Sequence, residues 1–83
     1  MAQILRLQPL LAQYGKTRSP LYADIASGLF VRPIKLGARA AGWPAHEVDE
    51  LIGARIAGAA PEQIRKLVVK LHAQRAASMP ALG

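Results

Sequence analysis

The stretch from Gly15 to Trp43 constrains this chain more than any other part of it. It reads as a turn, a short capped helix and a glycine-turned ribbon that carries Arg32, Lys35 and Arg39. Just upstream, Leu7, Leu10, Leu11 and Tyr14 follow the i, i+3, i+4, i+7 spacing of one helical face. Pro9 suits a first helical turn and Gly15 a left-handed helix end, which predicts a first helix over about residues 8–14. Thr17 or Ser19 is placed to cap a second helix, with Pro20 in its first turn. Leu21 and Ile25 share the buried face of that helix, and Gly28 stops it. Two short helices joined by a tight glycine turn make a helix-turn-helix.

Beyond Gly28, Leu29-Phe30-Val31 and Ile34-Lys35-Leu36 are apolar and partly β-branched, with Pro33 between them. Gly37-Ala38-Arg39 reads as a turn and Ala40 to Trp43 as a returning strand. The proline marks an edge or a bulge, so the hairpin is short. A short hairpin after a helix-turn-helix is a wing. Pro44 opens a third helix, with Glu47, Asp49 and Glu50 near its start, where the helix dipole favours negative charge. Val48, Leu51, Ile52 and Ile56 form its core face. Ala59-Ala60-Pro61 is the clearest break in the chain. A fourth helix runs from Pro61 to about Arg75, its stripe made by Ile64, Leu67, Val68 and Leu71. The tail from Ala76 to Gly83 is expected to fray.

The expected fold class is therefore mainly α with a short β-hairpin. A winged helix-turn-helix covers residues 1–58, and a C-terminal amphipathic helix and tail cover 59–83. The expected core comprises Leu11, Leu21, Ile25, Trp43, Val48, Leu51 and Ile52, with Trp43 pinning the wing to the third helix. The stripe Ile64, Leu67, Val68 and Leu71 has two open roles, packing on the winged unit or oligomerisation with a neighbouring protomer.

Charge points to a polyanionic partner. The formal net charge is +6, and it is unevenly spread. Up to Trp43 the chain sets Arg6, Lys16, Arg18, Arg32, Lys35 and Arg39 against Asp24 alone, a local +5. Glu47, Asp49 and Glu50 then make the middle acidic, and Arg65, Lys66, Lys70 and Arg75 make the last part basic again. A basic front of this kind attracts nucleic acid. The chain has no cysteine, which excludes disulfides, thiolate metal sites and cysteine nucleophiles. No signal-peptide core and no apolar run of about 18–20 residues is present, so a cytoplasmic, nucleoid-associated protein is expected, with no membrane partner. His46 and His72 lie on different helices without a spaced carboxylate pair, so no metal or other cofactor is expected. Ser19, His46 and Asp49 lack a glycine-flanked nucleophile elbow, and no phosphate-binding loop is present. The expectation is a protein with no enzymatic activity and no small-molecule ligand.

Several segments, taken in order, resemble a known family. They are Arg6-Leu7, Gly15 with Arg18-Ser19-Pro20-Leu21-Tyr22, Gly28-Leu29-Phe30, Pro33-Ile34-Lys35-Leu36-Gly37, Ala38-Arg39-Ala40-Ala41-Gly42-Trp43, Glu47-Val48 and Arg55. Together they look like the AlpA family of phage-type regulators, winged helix-turn-helix proteins related to excisionases and to MerR-type DNA-binding domains. The resemblance covers about fifty residues, from Leu5 to Arg55. It implies double-stranded DNA binding and carriage on a prophage or integrative element. It also implies one of two roles. One is excisionase, that is, a recombination directionality factor that bends or coats attachment-site DNA for a tyrosine or serine integrase. The other is transcriptional regulation of recombination genes. The fourth helix lies beyond the shorter family pattern and resembles the tail of excisionase-like members, which favours excision.

On the second helix, Ser19, Tyr22, Ala23 and Ala26 lie opposite Leu21 and Ile25, so this face is expected to enter the major groove. The family commonly has an arginine where this chain has Ala23, and its bidentate guanine contact would give about 1–3 kcal/mol of discrimination. Lys16, Thr17 and Arg18 sit at the helix start, where backbone amides also favour phosphate. Asp24 repels phosphate unless it pairs with Lys16 or Arg18. Arg39 at the wing tip is the candidate for minor-groove insertion, with Lys35 and Arg32 on the flanking backbone. Arg6 and Arg55 read as structural ion pairs or snorkelling side chains. Self-association along DNA fits this profile of shape reading. A protein-interaction adaptor and a peripheral membrane binder acting through the basic fourth helix are the readings from other classes.

Overall fold

The computed structural model describes residues 3–78. Seven elements follow in order: β1 (Ile4–Leu5), α1 (Leu7–Tyr14), α2 (Arg18–Ala26), β2 (Ile34–Lys35), β3 (Ala41–Pro44), α3 (Ala45–Ile56) and α4 (Pro61–Ser78). The result is a mainly helical protein with a small antiparallel sheet in the order β1-β3-β2, a winged helix-turn-helix followed by a long helix. No described helix is long and apolar enough to cross a membrane.

Gly15 ends α1 with φ +77°, and its N–H donates to the Leu11 carbonyl at 2.9 Å. That left-handed geometry is open to glycine at little cost, so the chain turns straight into α2. Thr17 occupies the N-cap of α2 but makes no side-chain capping bond.

The wing differs from its expected outline in two ways. Leu29-Phe30-Val31 is not a strand. The Leu29 N–H donates to the Asp24 carbonyl at 2.8 Å, and side chains reach carbonyls of the segment and of Arg32. Trp43 Nε1 donates to the Val31 carbonyl at 3.0 Å, Arg55 to the Leu29 carbonyl at 3.4 Å and Arg75 to the Arg32 carbonyl at 2.8 Å. The Arg32 N–H donates to His72 Nε2 at 3.1 Å. Burial and the neighbouring charges of Arg32 and Arg75 hold the His72 imidazole below its ordinary pKa, favouring the neutral ring, and the bond to Nε2 selects the tautomer with its proton on Nδ1. The second difference is β1, a strand of two residues, too short to show alternation in the sequence. It pairs Ile4 with Pro44 and Leu5 with Trp43, on the far side of β3 from β2. The hairpin itself closes through Leu36 N–H to the Ala40 carbonyl at 2.8 Å, with Gly37, Ala38 and Arg39 in the turn.

One core joins all of this. Leu10, Leu21, Phe30, Val31, Trp43, Val48, Leu51, Ile64, Val68 and Leu71 are buried together. Of the expected core, Leu21, Trp43, Val48 and Leu51 are fully enclosed, while Leu11, Ile25 and Ile52 are partly buried against it. On α4, Ile64, Val68 and Leu71 are buried in this same core and Leu67 lies against it. The stripe read as a candidate oligomerisation surface is thus covered within the chain, because the winged unit is too small to enclose its own apolar groups. Gln63 helps to start α4, its Oε1 accepting the Ala60 N–H at 2.8 Å in half of a capping box. The helix continues through Ser78, past the expected onset of fraying at Ala76, and residues 79–83 lie outside the described part.

A charged pair completes the joint. Glu47 on α3 is 1% exposed and receives Arg75 of α4 in a bidentate contact, Nε to Oε2 at 2.9 Å and to Oε1 at 3.0 Å. The pairing spans two helices, so the sequence showed Glu47 only as a dipole partner. Replacing Arg75 by alanine leaves this carboxylate buried without its cation. A loss of about 3 kcal/mol in urea unfolding is expected, the lower end of the range for broken buried pairs because Arg75 is partly solvated. The joint change Glu47→Leu with Arg75→Met loses less than Arg75→Ala alone.

Gly42 marks the tightest approach in the sheet. A Cβ there would collide with the Ile4 side chain and lie 3.1 Å from the Leu5 carbonyl oxygen and from Leu36 Cδ1. Gly42→Ala is expected to cost about 1–3 kcal/mol of unfolding free energy by forcing β1 off β3. Gly37→Ala, where a Cβ meets nothing within 4 Å, serves as the control and changes stability far less.

Candidate nucleic-acid interface

The α2 helix turns Leu21 inward and leaves Arg18, Ser19, Tyr22, Ala23 and Ala26 exposed. Ser19, Tyr22, Ala23 and Ala26 are the face expected from the spacing, since at roughly 100° per residue they lie away from the buried leucine, whereas Arg18 is exposed at the helix start. Thr17 is exposed at the helix start. The Arg18 guanidinium sits 5.8 Å from the centre of the Tyr22 ring, a cation–π contact between two exposed side chains.

Lys16 behaves differently. Its ammonium lies 2.7 Å from Asp24 Oδ2, and the same oxygen receives the Tyr14 hydroxyl at 2.7 Å. Arg55 stands 3.8 Å from that oxygen and 5.2 Å from the Tyr14 ring centre. Burial alone would raise the Asp24 pKa. The hydrogen bonds from Lys16 and Tyr14 and the charges of Lys16 and Arg55 outweigh it and hold the carboxyl below its ordinary value. Burial, followed by the bond to Asp24, pushes the Tyr14 phenol up. Lys16 was a candidate phosphate contact, and here its charge mainly neutralises Asp24. Arg55 is structural, as its sequence position suggested.

The wing places its cations on two levels. Arg39 is exposed in the turn and Lys35 on β2. Lys35 pairs with Ala41 across the hairpin, and directly opposed residues emerge on one face of a sheet. Arg32 lies at the wing root, its backbone held on both sides by α4.

Between α2 and the wing lies an open cleft of about 360 Å³. Arg6 and the first turn of α1 form one wall, Arg18 and Tyr22 another, and Arg39, Ala41 and Trp43 the third. Among the described residues, three arginines and no carboxylate line it. Sequence reasoning assigned Arg6 to a structural role, but no acidic partner meets it among the described residues. Nothing local in the sequence brings Arg6 beside Arg18 and Arg39. The β1–β3 pairing does that. Among the described residues no cluster of His, Asp or Glu is arranged to hold a metal ion.

Acid should weaken the Asp24 node in a defined direction. The folded pKa of Asp24 is depressed, so its contribution is fully present above the ordinary carboxylate range and disappears as pH falls through the folded value. Unfolding free energy measured from about pH 6 to pH 2 is expected to fall less steeply in Asp24→Asn than in the parent.

No curated protein and no solved structure significantly matches the chain. The profile of the prophage CP4-57 regulatory protein (AlpA) family matches residues 3–56. That span runs from β1 to the end of α3, and so takes in the helix-turn-helix, the wing and every residue that lines the cleft. The chain therefore belongs to the AlpA family, small DNA-binding regulators of prophage origin.

Proposed function

We propose that this AlpA-family protein grips duplex DNA with the exposed face of α2 in the major groove and the wing over the adjacent minor groove. The observation that carries the reading is the juxtaposition of that carboxylate-free helix face with Arg39 across an arginine-lined cleft. Ser19 and Tyr22 contact base edges or phosphate, Arg39 enters the minor groove, and Lys35 and Arg32 hold the flanking backbone. Thr17 and Arg18 present the start of α2 to phosphate, where its dipole adds to the attraction. The reading contains no catalytic step, cofactor or small-molecule ligand.

Within this reading the protein serves as a recombination directionality factor, loading in several copies on attachment-site DNA to assist an integrase. Ala23 and Ala26 leave the reading helix few base-specific side chains, while arginine dominates the surface around it. Such a surface supports recognition of shape and spacing over direct base reading. Regulation of transcription is the second reading, favoured by the family's description as a regulatory protein.

A gel-shift titration on attachment-region DNA, on promoter DNA and on scrambled duplex, each at two salt concentrations, tests the proposal. Discrete site-preferring complexes are expected, forming a ladder on attachment-region DNA if excision is the role. A single complex confined to promoter DNA would favour the transcriptional reading. Joint replacement of Arg39 and Lys35 by alanine is expected to flatten the log affinity against log salt slope by about 0.9 for each phosphate no longer neutralised. No shift of any duplex at either salt would overturn DNA binding and leave a protein-interaction adaptor as the alternative.

A further inference from the structure

We propose that the cleft between α1, α2 and the wing seats a phosphodiester of the DNA backbone, and that Arg6 is a direct contact to it. The inference deepens the DNA-binding reading and rests on it.

Three observations lead there. Arg6, Arg18 and Arg39 come from three different parts of the chain and line one open cleft. Like charges repel, so three guanidinium groups around one cavity with no carboxylate in its described lining favour an anion between them. The nearest acid on α2, Asp24, is held by Lys16, Tyr14 and Arg55 and does not line the cleft. Among the described residues, the cations of the cleft are thus left without an internal counterion.

Position selects the anion. Arg18 and Tyr22 belong to the helix proposed for the major groove and Arg39 to the wing proposed for the minor groove. The backbone strand that separates these grooves must pass between them, along the cleft. Its remaining wall adds a favourable field. Arg6 is the N-cap of α1, no side chain caps that helix, and no acidic residue occupies its first turn. Uncapped amides at a helix start complement phosphate, here alongside three side-chain cations. The non-acidic polar residue in that turn is Gln8, exposed and lining the same cleft.

Arg6 consequently positions the protein on the duplex without reading sequence. Bidentate guanidinium–phosphate bonds suit that task and are insensitive to the base attached.

The test uses the full chain on site-containing and scrambled duplex over a salt series, with three variants. Arg6→Ala is expected to weaken both duplexes by the same factor and to make the salt slope about 0.9 less steep. Arg6→Lys is expected to restore the slope, since the charge remains. Gln8→Glu separates binding from folding. A glutamate in the first turn of α1 favours the helix dipole and raises or preserves thermal stability, yet its charge in the cleft is expected to weaken DNA binding several-fold. If the parent shifts duplex while Arg6→Ala and Gln8→Glu keep its affinity and slope, the cleft assignment is overturned and the α2–wing reading stands. If the parent shifts no duplex, both fall. If inorganic phosphate at millimolar concentration protects the parent against thermal unfolding but Arg6→Ala leaves duplex binding intact, the cleft takes free phosphate and the backbone assignment is wrong.

Discussion

The strap from Leu29 to Arg32 is the piece on which the remaining architecture depends. It joins the helix-turn-helix to the wing, yet no neighbouring strand among the described residues satisfies it. The Asp24 carbonyl takes the Leu29 N–H, and side chains from α3, β3 and α4 bond the Leu29, Val31 and Arg32 groups: Arg55, Trp43, His72 and Arg75. The Val31 carbonyl is buried, where a missing partner is costly, so Trp43 is tied to the position of the wing root, while the other three bonds lie at the surface. Phe30 and Val31 meanwhile fill the core, with the Phe30 ring 4.8 Å from that of Tyr14 on α1. The strap therefore contributes two core side chains at the point where the helix-turn-helix meets the wing. The α4 helix, outside the span matched by the family profile, provides two of its four side-chain partners.

The same arrangement sets two groups of basic residues apart. Lys16 and Arg55 neutralise Asp24, Arg75 neutralises Glu47, and Arg65 donates from Nε to the Ser27 carbonyl at 3.0 Å. These cations hold elements together. Arg6, Arg18, Lys35 and Arg39 are left at the surface around α2 and the wing. Net charge alone says nothing about this division, because charges paired across the fold count equally in the total. These four meet no acidic partner among the described residues and contribute positive field on that side of the protein. Pairing Asp24 matters as much as exposing the arginines, since a free carboxylate on α2 would oppose the positive field there.

Much of the architecture was legible because its signals are local. The 3.6-residue stripe of α1, the glycine turn into α2 and the break at Ala59-Ala60-Pro61 each depend on a few adjacent residues. The exposed face of α2 followed from Leu21 and Ile25 on one side and helical geometry. Trp43 as an anchor followed from size alone in a chain with few aromatics. The strand read into Leu29-Phe30-Val31 failed for a physical reason: three apolar residues look alike in a strand and in a buried irregular strap. What distinguishes them is the source of their hydrogen bonds. Those partners lie far along the chain, on α3, β3 and α4.

The sequence by itself determined the helix-turn-helix, the hairpin that follows it, the four helical segments and the basic character of the front half. Propensity, periodicity and turn chemistry act over a few residues, and all of these features are set at that range. Tertiary structure alone decided the third strand, the burial of Glu47 against Arg75, the enclosure of the α4 stripe within its own chain and the meeting of Arg6 with Arg18 and Arg39. Each of these joins residues distant in sequence, so its energy exists only once the core has closed around Phe30, Val31 and Trp43.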